Sequence, residues 1–222
     1  MLMPRAIPPF GLLLCGGRSS RMGQDKALLT LDGERLLDRG LRLLREAGCR
    51  QVWAAGDYAG VPCLPDAPAW QGRGPLAGIA AALAYAPQAS WLVIPVDMPG
   101  LESDFLRRFL QCAQQYHPQE YPQGAWMQES QFPLWLDHPA AASTLHRLLS
   151  AADPRVASVG ALLQALALAP LPAAALLAAD QPARALCNTL CNTNTPAEWQ
   201  QFCHPAAEFD DAAYGAVTPF AV

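Results

Sequence analysis

Three short segments of the sequence carry residue types that can do chemistry. The first is Leu14-Cys15-Gly16-Gly17-Arg18-Ser19-Ser20-Arg21-Met22-Gly23-Gln24-Asp25-Lys26. Its glycines let a backbone approach a phosphate closely and turn N–H groups toward it, and Arg21 and Lys26 add positive charge suited to a ligand with several phosphates. The composition is that of a phosphate cradle. It lacks the Gly-Lys-Ser/Thr ending of a Walker A loop and the G-x-G-x-x-G spacing of a dinucleotide fingerprint. A plain strand-to-helix turn can also be rich in glycine, but it has no need of Arg18, Arg21 and Lys26 together. The second segment is Val93-Ile94-Pro95-Val96-Asp97-Met98-Pro99, where an acid ends an apolar run. Two readings fit it: a divalent metal held between carboxylate and phosphate, or an aspartate capping a turn ahead of Pro99. The third is Asp66, after Leu64-Pro65, with Gly72 to Gly78 behind it. Taken singly, Asp66 reads as a polar loop residue.

These segments need a scaffold, and the hydrophobic pattern supplies one. Gly11 to Cys15, Gln51 to Ala55 and Trp91 to Val96 read as short buried strands. A helix is expected from about Leu36, with Leu37, Leu41 and Leu44 on one face and Gly48 as its stop. Gly74-Pro75 opens an alanine-rich helix to about Ala86, because proline suits a first helical position. Ser103 is a plausible N-cap for a helix to about Gln115. Ala125-Trp126-Met127 and Phe132 to Leu136, separated by Gln128-Glu129-Ser130-Gln131, suggest two strands joined by a turn. Two more helices are expected between about Ala140 and Ala169. Thr195-Pro196-Ala197-Glu198 combines an N-cap, an N1 proline and an N3 glutamate, the capping box of a last helix. Strands alternating with helices predict a three-layer α/β/α, Rossmann-like fold with a mainly parallel sheet and an antiparallel element in the second half. Ligands of such sheets bind beyond the carboxyl ends of the strands, which is where all three segments fall.

The bulk properties agree. The chain has 222 residues, 52% of them hydrophobic and 15% charged, with a formal charge of −4, which argues against disorder and against a nucleic-acid binder acting through a basic surface. No apolar run reaches the ~18 residues of a membrane span. Gly11 to Cys15 is shorter than the apolar part of a lipoprotein signal and reads as a buried strand. One domain is expected across 1–222, with a first half at about 10–115, a second half at about 116–204 and a tail at 205–222. Seven scattered cysteines point to reduced thiols in a cytoplasm rather than to disulfides. Cys187, Cys191, Cys203 and His204 match no common zinc spacing and read as inert. His117, His138, His146 and His204 fall at no strand end and receive no catalytic role, and the tryptophans do not interleave with basic residues as base-stacking platforms do.

The order and spacing of these motifs resemble those of the molybdenum cofactor guanylyltransferase family. Its glycine loop is matched from Leu14 to Lys26, with Cys15 where alanine is usual; its G-P-L-A-G is Gly74 to Gly78; its strand-end aspartate is Asp97; its late N-x-N-T-P is Asn192 to Pro196. The chain departs from the pattern in two places. Ala54-Ala55-Gly56-Asp57 stands where asparagine often follows the second strand, and Phe132-Pro133-Leu134 stands where His-Pro-Leu is frequent. The resemblance implies nucleotide binding by Leu14, Cys15, Gly16, Gly17, Ser19, Gly23, Lys26, Asp66, Gly78 and Asp97. It implies catalytic roles for Arg21, Lys26 and Asp97, and a Mg²⁺ ion on Asp97 with Asn194 as a second ligand. The implied activity is transfer of GMP from GTP to molybdopterin, with release of pyrophosphate. The implied partners are those two substrates and, transiently, proteins that deliver or receive the cofactor, with no nucleic acid and no membrane. Alternatives are a cytidylyl or sugar-phosphate nucleotidyl transferase, or a non-catalytic nucleotide-binding regulator.

Overall fold

The computed structural model describes residues 7–15, 25–115, 123–137, 140–153, 156–176 and 189–203. Among these residues seven strands form the main sheet, in the order β5-β4-β1-β6-β8-β7-β9. They are β1 (Phe10–Leu14), β4 (Val52–Ala55), β5 (Cys63–Leu64), β6 (Trp91–Pro95), β7 (Gly124–Met127), β8 (Leu134–Leu136) and β9 (Ala169–Leu171). β5, β4, β1 and β6 pair in parallel, β8 runs antiparallel to both β6 and β7, and β9 returns parallel to β7. It follows that β8 alone is reversed. The antiparallel element expected in the second half is therefore this one strand inserted into an otherwise parallel sheet.

Alternation along β1 separates the two helical layers. Leu13 and Leu14 point to opposite faces of the sheet. On Leu13's face lies α1 (Leu36–Glu46), where a Cβ on Gly40 would come within 2.5 Å of Leu13 Cδ1. On Leu14's face lies α2 (Pro75–Tyr85), where a Cβ on Gly78 would come within 2.8 Å of Ala55 Cβ and 3.1 Å of Leu14 Cδ2. α1 buries Leu37, Leu41 and Leu44, the stripe its periodicity predicts, together with Leu36 and Leu43, and Gly48 follows at φ +100° as its stop. Beside α1 packs α3 (Ser103–Gln115), and beside α2 packs α4 (Ala140–Leu149), which in turn meets α5 (Val159–Leu166). α3 begins at Ser103 itself, one residue earlier than an N-cap there would place it. α6 (Pro196–Cys203) starts where the capping box predicts.

An aromatic cluster closes the amino ends of the strands: Phe10, Trp53 and Trp91 have ring centroids 5.1 to 5.6 Å apart. Trp53 and Trp91 are thereby core residues. Packing sits at that end of the sheet, and the carboxyl end is left for ligands. A two-stranded hairpin, β2 (Thr30–Leu31) with β3 (Glu34–Arg35), leads into α1 through Asp32-Gly33, both at positive φ as a tight two-residue turn requires. Among the described residues no helix is long and apolar enough to cross a membrane.

Candidate functional site

From β1 the sheet grows to one side through β4 and β5, then returns to the other side of β1 with β6. The crevice between the carboxyl ends of β1 and β6 is thus a topological switch point, the place where open α/β sheets bind ligands. Leu14 and Pro95 are register partners there, and the Val96 N–H donates to the Leu14 carbonyl at 3.0 Å. Lys26 and Asp97, the residues that sequence reasoning placed after these two strands, meet at this point.

Lys26 opens a short 3₁₀ turn, Lys26–Leu28, whose cap is Asp25: its Oδ1 accepts the Ala27 N–H at 2.9 Å. Ala27 is fully buried and fastens the turn to the core. Lys26 Nζ lies 3.4 Å from Asp97 Oδ2 and donates to Asn194 Oδ1 at 2.8 Å. The pair is largely withdrawn from water, the two side chains being 13% and 26% exposed.

Each oxygen donor is held from behind. The carbonyl of Asp97 accepts both the backbone N–H of Thr193, at 2.8 Å, and its hydroxyl, at 3.3 Å. Thr193 is 1% exposed, and these bonds tie the Asn-x-Asn-Thr-Pro segment to the strand-end loop across 96 residues. Arg39 Nε donates to the Pro99 carbonyl at 3.1 Å and steadies the far side of the same loop. Asn194 is fixed by the capping box: Glu198 Oε2 accepts the N–H groups of Asn194 and Thr195 at 2.6 and 2.9 Å, and the Glu198 N–H donates to Thr195 Oγ1 at 3.2 Å. Hydrogen bonds from these backbone amides, that of Asn194 foremost, hold the Glu198 carboxyl below its ordinary range. The sequence signalled the capping box. It gave no sign that the box aims Asn194 at Lys26, nor that Thr193 and Arg39 brace the Asp97 loop.

Other expected site residues fall as follows. Leu14 is buried at the end of β1, and Cys15 follows it, 4% exposed, with burial pushing its thiol well above the ordinary range so that it stays neutral. Asp66 follows β5 at the same sheet edge, half-buried. Burial raises its carboxyl, an effect opposed by the Gly72 N–H that it accepts. Arg73, next to that amide, has a buried Nη1 with no hydrogen-bond partner among the described residues. Gly78 lies within α2, where that helix meets the sheet so closely that a Cβ would stand 2.8 Å from Ala55 Cβ and 3.1 Å from Leu14 Cδ2. Gly16, Gly17, Ser19, Arg21 and Gly23 lie outside the described residues. So do His117, His138, His204 and Cys187, whereas His146 packs edge-on against Trp70.

The cluster has a definite chemical capacity. A carboxylate and an amide oxygen converge on one positive charge, which is the donor type that a hard divalent cation takes. Among the described residues no three His, Cys, Asp or Glu side chains gather to hold a metal by themselves. A Mg²⁺-sized ion here would complete its shell with ligand oxygens and water, as such ions do beside phosphates. The residues present therefore fit the ion that the resemblance implies.

A mostly parallel α/β sheet with a lysine and a carboxylate meeting at its switch point belongs to the class of nucleotide-handling α/β proteins. The chain belongs to the family of MobA-like NTP transferase domains, whose model matches residues 11–156. It is 46% identical over 112 residues to the molybdenum cofactor guanylyltransferase of Xanthomonas euvesicatoria pv. vesicatoria, a match covering 48% of this chain and 56% of that protein. The chain spans about half the length of the curated relatives it matches. In fold it is similar to molybdopterin-guanine dinucleotide biosynthesis protein A from Archaeoglobus fulgidus, with a TM-score of 0.64, 19% identity, and coverage of 87% of this chain and 96% of that one. It is also similar to Rv0371c of Mycobacterium tuberculosis, solved as a complex with manganese, with a TM-score of 0.53, 16% identity, and coverage of 88% and 98%.

Proposed function

We propose that this chain transfers GMP from GTP to a molybdopterin cofactor, giving molybdopterin guanine dinucleotide and pyrophosphate. The family and the name of the Xanthomonas relative support the reading. The single observation that carries it is the convergence of Lys26, Asp97 and Asn194 on one point at the β1–β6 crevice.

In the reaction an oxygen of the terminal phosphate of molybdopterin bonds to the α-phosphorus of GTP while the bond to the bridging α–β oxygen breaks, and the bonding pair leaves with pyrophosphate. No covalent enzyme intermediate is needed. Lys26 and Arg21 neutralise charge that builds on the phosphates, and the rigid turn at Asp25 keeps the Lys26 ammonium in place before the substrate arrives. Asp97 and Asn194 hold a divalent ion, for which we propose Mg²⁺; when bound it supplies further neutralisation of phosphate charge. The manganese complex of the mycobacterial fold neighbour agrees with divalent-metal use on this fold. We assign Asp66 to the nucleoside side of the ligand. We assign the nucleotide to the half at about 10–115 and the acceptor to about 116–204, within one domain. We further propose that the reaction is cytoplasmic and that cofactor-delivering proteins make only transient contact.

The test is pyrophosphate release. It is expected with GTP, Mg²⁺ and molybdopterin together, and at least tenfold more slowly with CTP or UTP. A preference for CTP would move the chain to the cytidylyl class, and nucleotide binding without release would make it a regulator.

A further inference from the structure

We propose that Tyr58, in the loop between β4 and β5, is a positioning residue for the transfer: its hydroxyl clasps Cys15 and Asp25, which flank the glycine-rich segment in the sequence, and through Asp25 it sets the turn that carries Lys26. The inference rests on the proposed function for what Lys26 does, but not for how Lys26 is held.

Tyr58 Oη donates to Asp25 Oδ2 at 3.0 Å, and the same hydroxyl is 3.5 Å from the Cys15 carbonyl. One proton cannot serve two acceptors fully, so the shorter, charge-assisted contact takes it and the carbonyl contact is weak. The other oxygen of Asp25 caps the Lys26 turn through the Ala27 N–H. The carboxylate is therefore gripped on both sides, by a side chain from the β4–β5 loop and by the turn it caps. Asp25 itself is exposed, and among the described residues it is these two bonds that orient it against water.

Tyr58 is in turn fixed by its own surroundings. Its N–H donates to Cys63 Sγ at 3.2 Å. Gly56 adopts φ +123°, and a Cβ there would come within 3.0 Å of the Tyr58 ring, so glycine at this position leaves the ring its room. Burial raises the phenol's pKa well above its ordinary value, which keeps it a donor throughout the range in which an enzyme works. A ring that is anchored in its backbone, given space by a glycine and permanently protonated, aimed at the cap of a lysine turn 33 residues away, has the properties of a built support.

Tyr58→Phe removes the hydroxyl and keeps the ring. Lacking one of its two bonds, Asp25 rotates toward water and Lys26 loses its fixed distance to Asp97. The first measurement needs no activity: limiting acetic anhydride with mass spectrometry reads the reactivity of the Lys26 amine. We expect several-fold faster modification of Lys26, the one lysine of the sequence, in Tyr58→Phe, with the melting temperature unchanged; an unaltered rate overturns the clasp. The second is turnover. Tyr58→Phe should lower kcat about five- to tenfold with KM for GTP nearly constant, and it should add nothing in an Asp25→Ala background. Multiplicative effects of the two substitutions, or a loss confined to thermal stability, overturn the proposal. If the wild-type chain transfers no GMP, the functional reading fails while the acetylation result still decides the clasp.

Discussion

Replacing Lys26 with methionine should tighten metal binding to the nucleotide-free protein while weakening nucleotide binding. Lys26 Nζ stands 3.4 Å from Asp97 Oδ2 and 2.8 Å from Asn194 Oδ1, and so fills the place a divalent ion would take between those oxygens. For two unit charges at 3.4 Å the attraction is roughly 1 kcal/mol with the dielectric constant of water and roughly 5 kcal/mol at an effective value of 20. Both side chains keep some exposure, and the ion must displace the ammonium before it can bind. A competition of about 1.5–3 kcal/mol corresponds to about ten- to a hundredfold in affinity. Methionine keeps the length of the side chain and removes the charge. Titration with Mn²⁺, followed by the electron paramagnetic resonance of the free ion, should therefore show tighter binding to Lys26→Met than to wild type by at least about tenfold. Asp97→Asn should abolish the binding in either background. In the presence of GTP the order should reverse, because Lys26 then faces phosphate. Equal or weaker Mn²⁺ binding by Lys26→Met without nucleotide would refute the idea that Lys26 and the ion share one place.

Other consequences can be checked singly. Asp66→Asn should raise the melting temperature at pH 7 or leave it unchanged, while reducing the thermal shift given by GTP. Burial raises the folded-state pKa of Asp66, so its contribution to stability is present at low pH and is lost as pH rises through that value. Glu198 has the opposite sign. Its folded pKa is depressed, so its contribution is present at neutral pH and fades as pH falls below the ordinary carboxylate range; Glu198→Gln should flatten the acid side of the stability curve measured by chemical denaturation. Gly78→Ala should destabilise the fold by about 1–3 kcal/mol, since a Cβ 2.8 Å from that of Ala55 forces α2 off the sheet. Urea unfolding will read it, and an unchanged midpoint would remove the packing explanation for that glycine.

What the sequence reveals about this molecule is what local physics controls. The α1 stripe, the proline at the start of α2 and the Thr195–Glu198 box each act within a turn or two of helix, and each element begins where its signal lies. β9 escaped notice because it is three residues long and contains Pro170, which is tolerated since β9 pairs only with β7 at the sheet edge. The β2–β3 hairpin carried a readable Asp32-Gly33 signal between strands of only two residues. In the site, Lys26 and Asp97 were legible because both follow a strand, and strand ends share one edge. Tyr58, Thr193 and Arg39 were not, because their bonds to Asp25, Asp97 and Pro99 span 33, 96 and 60 residues and are set by tertiary packing alone.

The central claim is that the α-phosphate of GTP moves to an acceptor at the crevice where Lys26 and Asp97 meet. Incubating the protein with molybdopterin, Mg²⁺ and GTP labelled at either the α- or the γ-phosphorus tests it directly. α-Label is expected in the pterin product, γ-label in pyrophosphate, and neither with Asp97→Asn. Label released from the γ-position as inorganic phosphate, or transfer that proceeds undiminished in Asp97→Asn, would contradict it.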